Sequence, residues 1–150
     1  MSSETERTIY CNCMDEVRGR LQLVRSVGAK AFTTGRMEFD QDVVFLQLRK
    51  VLELIGFASL VANKEKYEAE YKQFATQWRA RRLIEDLEKI HPNFYPMPIA
   101  APEKLEDGVK RISYVTDGFM TKDEFPLLYD NCAAMLHMRN PYSAGNCLAP

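Results

Sequence analysis

The sequence predicts an all-α fold: a helical bundle with a small extended or hairpin insertion near residues 93–115. Two observations support this. Apolar residues recur three and four positions apart through most of the chain, and four of the seven prolines fall between positions 92 and 102. The length of 150 residues and the content of 46% hydrophobic and 27% charged residues are typical of one globular domain. We therefore expect residues 1–150 to form a single helical domain.

The first predicted helix extends from about Thr5 to Phe32 and carries one narrow apolar stripe. The stripe consists of Tyr10, Met14, Val17, Leu21, Val24, Gly28 and Ala31. Such a stripe must pack against another element, which can belong to the same chain or to a partner. We expect a homodimer formed through an exposed apolar helix stripe.

The second predicted helix, from Val43 to Ala62, is apolar on nearly every face, which is typical of the centre of a bundle. Two charged side chains inside it, Arg49 and Glu53, are four residues apart and can pair on one helix face. A buried carboxylate needs such a partner because burying an unpaired charge is costly. The pair therefore either fixes helix packing or belongs to a site, where the carboxylate would orient a catalytic histidine.

The remaining helices are predicted from the same periodicity and from capping signals. Residues 65–90 are expected to be helical, with a bend or break near residues 76–79. A last helix begins at Thr121, where Thr121 and Glu124 fit a capping box, and it ends before Asn140. Together with the first two helices, these segments complete the predicted bundle.

A short basic and aromatic segment at the proposed break suggests nucleic-acid binding. Its candidate binding residues are Trp78, Arg79, Arg81 and Arg82. The arginines would hold RNA phosphates and the indole would stack on a base. The alternative is a solvated helix face whose tryptophan packs inward, with Glu85, Asp86 and Glu88 neutralising the arginines.

A second candidate site lies at the end of the last helix, where His137 is followed by Arg139 and Asn140. A histidine can act as a general acid or base near neutral pH, and an arginine can hold a phosphate oxygen. Together they would support phosphodiester cleavage. The alternative is that His137 and Arg139 complement the negative end of the helix.

Other features limit the range of functions. The four cysteines have neither disulfide-framework nor zinc-site spacing, so we expect buried thiols and no metal. No phosphate loop, nucleophile elbow or dinucleotide fingerprint indicates a cofactor. The net charge of −1 produces no global positive field. The polar N-terminus and the lack of a long apolar run predict a cytoplasmic protein without membrane association.

Two stretches resemble a known family. Residues 45–55 resemble the second helix, and residues 128–137 the last helix, of the HEPN superfamily (higher eukaryotes and prokaryotes nucleotide-binding). The helix pattern is similar over residues 5–140. The resemblance implies a helical bundle that often dimerises. It also implies either a metal-independent ribonuclease of defence or toxin–antitoxin systems, or a non-catalytic binding module.

The catalytic pattern of that family is an arginine, four to six intervening residues and then a histidine on the last helix. The histidine falls on His137 in this sequence. The arginine would fall at positions 130–132, which hold Asp130, Asn131 and Cys132. The resemblance therefore favours a binding module over a nuclease.

Three hypotheses follow. The first is a HEPN-like helical module that binds RNA, a nucleotide or a partner protein. The second is a metal-independent ribonuclease in which His137 is the acid or base and Arg139 grips the phosphate. The third is a structural subunit of a larger complex. Only the second requires His137.

Overall fold

The computed structural model describes residues 4–71 and 79–138, which form five helices and one short two-stranded sheet. The helices are α1 (Glu4–Gly28), α2 (Met37–Ala62), α3 (Lys64–Glu70), α4 (Ala80–Ile90) and α5 (Glu124–Leu136). The antiparallel strands are β1 (Glu103–Lys104) and β2 (Lys110–Arg111). The predicted all-α bundle with a hairpin insertion is therefore confirmed. None of the described helices has the length and apolar character needed to cross a membrane.

Helices α1 and α2 form an antiparallel helical hairpin. Near one end, Lys64 Nζ lies 3.1 Å from a carboxylate oxygen of Glu6. Further along, Arg20 Nη1 donates a 2.7 Å hydrogen bond to Gln47 Oε1. We call residues 4–48 the arm, and residues 49–71 with 79–138 the body.

The loop between α1 and α2 is closed by a single carboxylate. Asp40 Oδ1 accepts a 2.6 Å hydrogen bond from the Thr34 backbone N–H, and Asp40 Oδ2 accepts one of 2.7 Å from the Thr33 hydroxyl. These bonds favour the ionised form, so they lower the pKa of Asp40. The second helix was predicted to begin at Val43, but it begins at Met37, so that Asp40 lies within the helix and its carboxylate bonds back to the loop.

The hydrophobic core lies entirely in the body. Its largest fully buried side chains are Leu52, Tyr67, Leu83, Leu87, Phe125 and Cys132. Helix α2 was predicted to be central throughout, but its buried residues all lie between Val51 and Ser59. The earlier half of α2 belongs to the arm. The prediction is therefore correct only for the second half of the helix.

Close helix contact in the body depends on one glycine. A Cβ atom placed on Gly56 of α2 would lie 3.1 Å from the Ala80 Cβ, at the start of α4. Two small residues therefore allow the two helices to touch, and this contact fixes the position of the α4 N-terminus relative to α2.

The beginning of α5 has the predicted capping box. The Glu124 backbone N–H donates to Thr121 Oγ1 (3.3 Å), while the Thr121 backbone N–H donates to Glu124 Oε2 (2.8 Å). The hydrogen bonds that the Glu124 carboxylate accepts from the Thr121 backbone N–H and hydroxyl lower its pKa. The insertion before α5 is held by the short β1–β2 pair and by an antiparallel bridge between Ile99 and Tyr114.

The cysteines follow the prediction of buried thiols only in part. Cys132 is buried in the core, and burial raises the pKa of its thiol. Cys13 is half-buried and Cys11 is exposed, because α1 packs on one side only. The prediction is therefore wrong for Cys11, while Cys147 lies outside the described residues.

Candidate functional site

The candidate site is an open pocket of about 540 Å³ between α2, α4 and α5. Its lining residues are Arg49, Arg79, Arg81, Arg82, Glu85, Asp86, Lys89 and Tyr129. Five of them are cationic and two are acidic. All four arginines were candidate site residues from the sequence, Arg49 in one segment and Arg79, Arg81 and Arg82 in another. The structure brings both segments to one pocket, which we call the arginine pocket.

Helix α4 contributes most of the lining residues, beginning with those of its N-terminal turn. This turn contains no acidic residue, and the N-cap residue, Arg79, makes no side-chain capping bond. The first N–H groups of a helix point outward and carry a partial positive charge. Arg81 and Arg82 add two full positive charges at the same place. The helix dipole disfavours cations at this end, whereas it favours a bound anion.

A buried carboxylate holds two of the cations in place. Asp86 is only 5% exposed, and its oxygens lie 3.6 Å from Arg82 Nε and 3.2 Å from Lys89 Nζ. The Tyr67 hydroxyl donates a further 3.3 Å hydrogen bond to Asp86. Burial, followed by the negative charge of Asp86, raises the pKa of Tyr67 to about 12, so this hydroxyl remains a donor at neutral pH.

Arg49 is fixed on the opposite wall by Glu53 and Tyr129. Its Nε lies 3.3 Å from a Glu53 oxygen, and its Nη2 donates a 3.1 Å hydrogen bond to the Tyr129 hydroxyl. The guanidinium carbon also lies 4.7 Å from the centre of the Tyr129 ring, a cation–π contact. The predicted Arg49–Glu53 pair is therefore present. Glu53 contacts Arg49 and the Tyr129 hydroxyl. The hypothesis that it orients a catalytic histidine is therefore not supported by its contacts.

Arg81 joins α4 to α5. It pairs with Glu85 on its own helix at 3.0 Å and with Asp130 on α5. The hydrogen bonds to Glu85 and then to Asp130 raise the pKa of Arg81, so its charge is permanent. This arginine is shared between holding the two helices together and lining the pocket.

The predicted catalytic histidine lies away from the arginine pocket. His137 is the exposed C-cap residue of α5, eight positions after Tyr129. At a rise of 1.5 Å per residue, this is about 12 Å along the helix axis. Among the described residues no side chain hydrogen-bonds to the imidazole. Arg139, Asn140 and Trp78, also assigned to sites from the sequence, lie outside the described residues.

Sequence reasoning missed three members of this site: Lys89, Tyr129 and Asp130. Lys89 could have been found, because it follows Arg82 and Asp86 at helical spacing on one face of α4. The other two lie on α5 and reach the pocket only through tertiary packing, so no local signal identifies them. Glu88, expected to neutralise the arginines, instead pairs with Lys122.

The arrangement is suited to binding an anion. Several fixed cations converge on an open pocket, and no described histidine, serine, threonine or cysteine lines it as a nucleophile or base. Nor do the described residues contain a group of three or more metal-ligating side chains placed to hold an ion. Comparison with protein-family models, curated proteins and solved structures finds no match for this chain.

Proposed function

We propose that this protein is a helical module that binds RNA through its phosphate groups in the arginine pocket. The observation that carries the proposal is the placement of Arg79, Arg81 and Arg82 at the N-terminus of α4, facing Arg49 of α2. A phosphate there would receive charge-assisted hydrogen bonds from arginine and would also complement the helix dipole.

The pocket favours sequence-independent binding. Its aromatic member, Tyr129, is only 8% exposed and has its ring covered by the Arg49 guanidinium. It therefore offers no free face on which a base could stack. Of the remaining lining side chains, the five cations suit phosphate oxygens, while Glu85 and Asp86 are occupied in ion pairs with those cations. The HEPN-like assignment and the predicted role of Trp78 in stacking remain hypotheses.

Binding of RNA does not require opening the core. Arg82 has 62% of its side chain exposed and Lys89 has 68%. Because a guanidinium and an ammonium each carry several N–H donors, both cations can bond a phosphate while they remain paired with Asp86. The buried side of Asp86 would keep its bond from Tyr67 and would still position both cations.

The test is fluorescence anisotropy of a labelled mixed-sequence single-stranded RNA, with EDTA present. We expect Arg82→Gln to weaken binding about tenfold, the loss expected for one charge-assisted bond. Arg18→Gln is the control, because Arg18 is also an exposed helical arginine with a carboxylate partner, on α1, and its side chain is 78% exposed against 62% for Arg82. Equal effects of the two variants, or binding of a mononucleotide as tight as RNA, would contradict the proposal.

A further inference from the structure

The arm differs from the body in having no buried residue. None of the described residues between positions 4 and 50 is buried, including all 25 residues of α1. The apolar stripe of α1 lies against α2, but every residue of the stripe keeps some exposure to solvent. In proteins, amphipathic helices gain most of their stability from tertiary packing of the apolar face. Helix α1 packs mainly on α2, and one neighbouring helix leaves part of its apolar face uncovered.

The exposed apolar surface is concentrated at the tip of the arm. A cleft of about 640 Å³ lies between the end of α1 and the start of α2. Its apolar lining residues are Val27, Phe32, Met37, Val44 and Phe45. Phe39 and Leu46 are exposed close by in the sequence, on the same half of α2. The tip therefore presents both a recess and protruding apolar side chains.

We infer that the partner of this surface is a second copy of the same chain. Two arms related by a two-fold axis would place their four helices together and cover the apolar tips. A two-fold interface requires one patch that complements itself. The tip satisfies this requirement because the exposed side chains of Phe32 and Met37 lie at a recess large enough to receive the same side chains from the other copy.

The charges of the arm agree with self-association. Between positions 4 and 48 the sequence contains six lysine or arginine residues and seven aspartate or glutamate residues. A nearly neutral surface neither repels its own copy nor attracts a polyanion. RNA is therefore a poor partner for the arm, in contrast to the arginine pocket of the body.

Large apolar side chains near the tip are accessible to a partner. Phe32, Met37, Phe39 and Leu46 are between 41% and 71% exposed. Exposed apolar side chains close to one another are typical of a protein–protein interface.

The test is sedimentation equilibrium of the whole chain over a range of concentrations. We expect wild type to associate to twice its 17.3 kDa mass. Met37→Glu, at an arm residue that is 71% exposed, should raise the dimer dissociation constant at least tenfold. Leu127→Glu, at a 65% exposed position on α5, is the control and should leave it unchanged. Both positions are exposed, so the monomer should keep its melting temperature.

Several outcomes would overturn the inference. A wild-type chain of 17.3 kDa at every concentration would show that no second copy binds. Dissociation by Leu127→Glu, with no effect of Met37→Glu, would place the interface elsewhere. Loss of RNA binding in Met37→Glu at unchanged mass would assign the arm to RNA. The RNA affinity of the Arg82 variant is measured separately, so failure of either proposal can be distinguished from failure of the other.

Discussion

The arm and the body contain amphipathic helices of the same general kind, yet only the body has a closed core. Helix α2 passes through both regions, and its buried residues all lie in its second half, after position 50. Its first half also contains apolar side chains, but Glu38, Asp40 and Asp42 interrupt them, and Phe45 and Leu48 reach the core only as half-buried side chains. The difference shows that apolar composition and the neighbouring helices together decide which part of a helix is buried.

The largest difference between body and arm is expected in the free energy of unfolding, when one phenylalanine of each region is replaced by alanine. Phe125 is fully buried in the body, so Phe125→Ala should lower the free energy of unfolding by about 3–5 kcal/mol. Phe39 of the arm is exposed and contacts Arg36 by a cation–π interaction, so Phe39→Ala should cost less than about 1 kcal/mol. Urea denaturation at low protein concentration measures both. Equal losses would mean that the arm has a core of its own.

The two regions should also respond oppositely to added side-chain volume at glycine. Gly56→Val forces a side chain against Ala80, and we expect a loss of about 1–3 kcal/mol. Gly19 of α1 has no atom within 4 Å of its added Cβ, so Gly19→Ala should stabilise the protein by about 0.5–1 kcal/mol. A stabilising Gly56→Val in thermal unfolding would show that α2 and α4 do not touch there.

A smaller effect should appear on acidification, through the arm loop. The pKa of Asp40 is lowered in the folded protein, so its ionised form contributes stability at pH values above its ordinary pKa. This contribution is lost as the pH falls through the lowered value. We expect Asp40→Asn to melt at a lower temperature than wild type at pH 7, with the difference disappearing at acid pH. A difference that grows on acidification would contradict this assignment.

The smallest effect is expected from His137→Ala, which should leave RNA affinity almost unchanged. The histidine lies on the body but about 12 Å along α5 from Tyr129, so RNA affinity should change less than twofold. RNA incubated with either protein in EDTA should remain intact on a denaturing gel. Cleavage by wild type that is lost in the variant would instead favour the metal-independent ribonuclease.

Sequence patterns within each segment were sufficient to predict most of the helices. The three- and four-residue periodicity and the Thr121–Glu124 capping box depend only on nearby residues, so the fold class and the bonds before α5 were predictable, although α5 begins at Glu124 and not at Thr121. The extent of burial along α2 could not be predicted in this way, because it depends on where α4 and α5 pack.

The candidate site was predicted as separate pieces. Arg49 with Glu53, and the arginines at the start of α4, were each recognised from their own segments. Their convergence depends on the contact of Gly56 with Ala80, which no local pattern encodes. No site role was predicted for Tyr129, although its hydroxyl hydrogen-bonds with Arg49.

The most direct test of the account is the salt dependence of RNA affinity for wild type and for an Arg79→Gln/Arg82→Gln double variant. If the body binds RNA through phosphates, the logarithm of wild-type affinity should fall linearly and steeply with the logarithm of salt concentration. Removing two phosphate contacts should reduce the magnitude of that slope by about 1.4, at roughly 0.7 per contact for a single strand. Salt-independent binding, or the same slope for both proteins, would contradict phosphate binding in the arginine pocket.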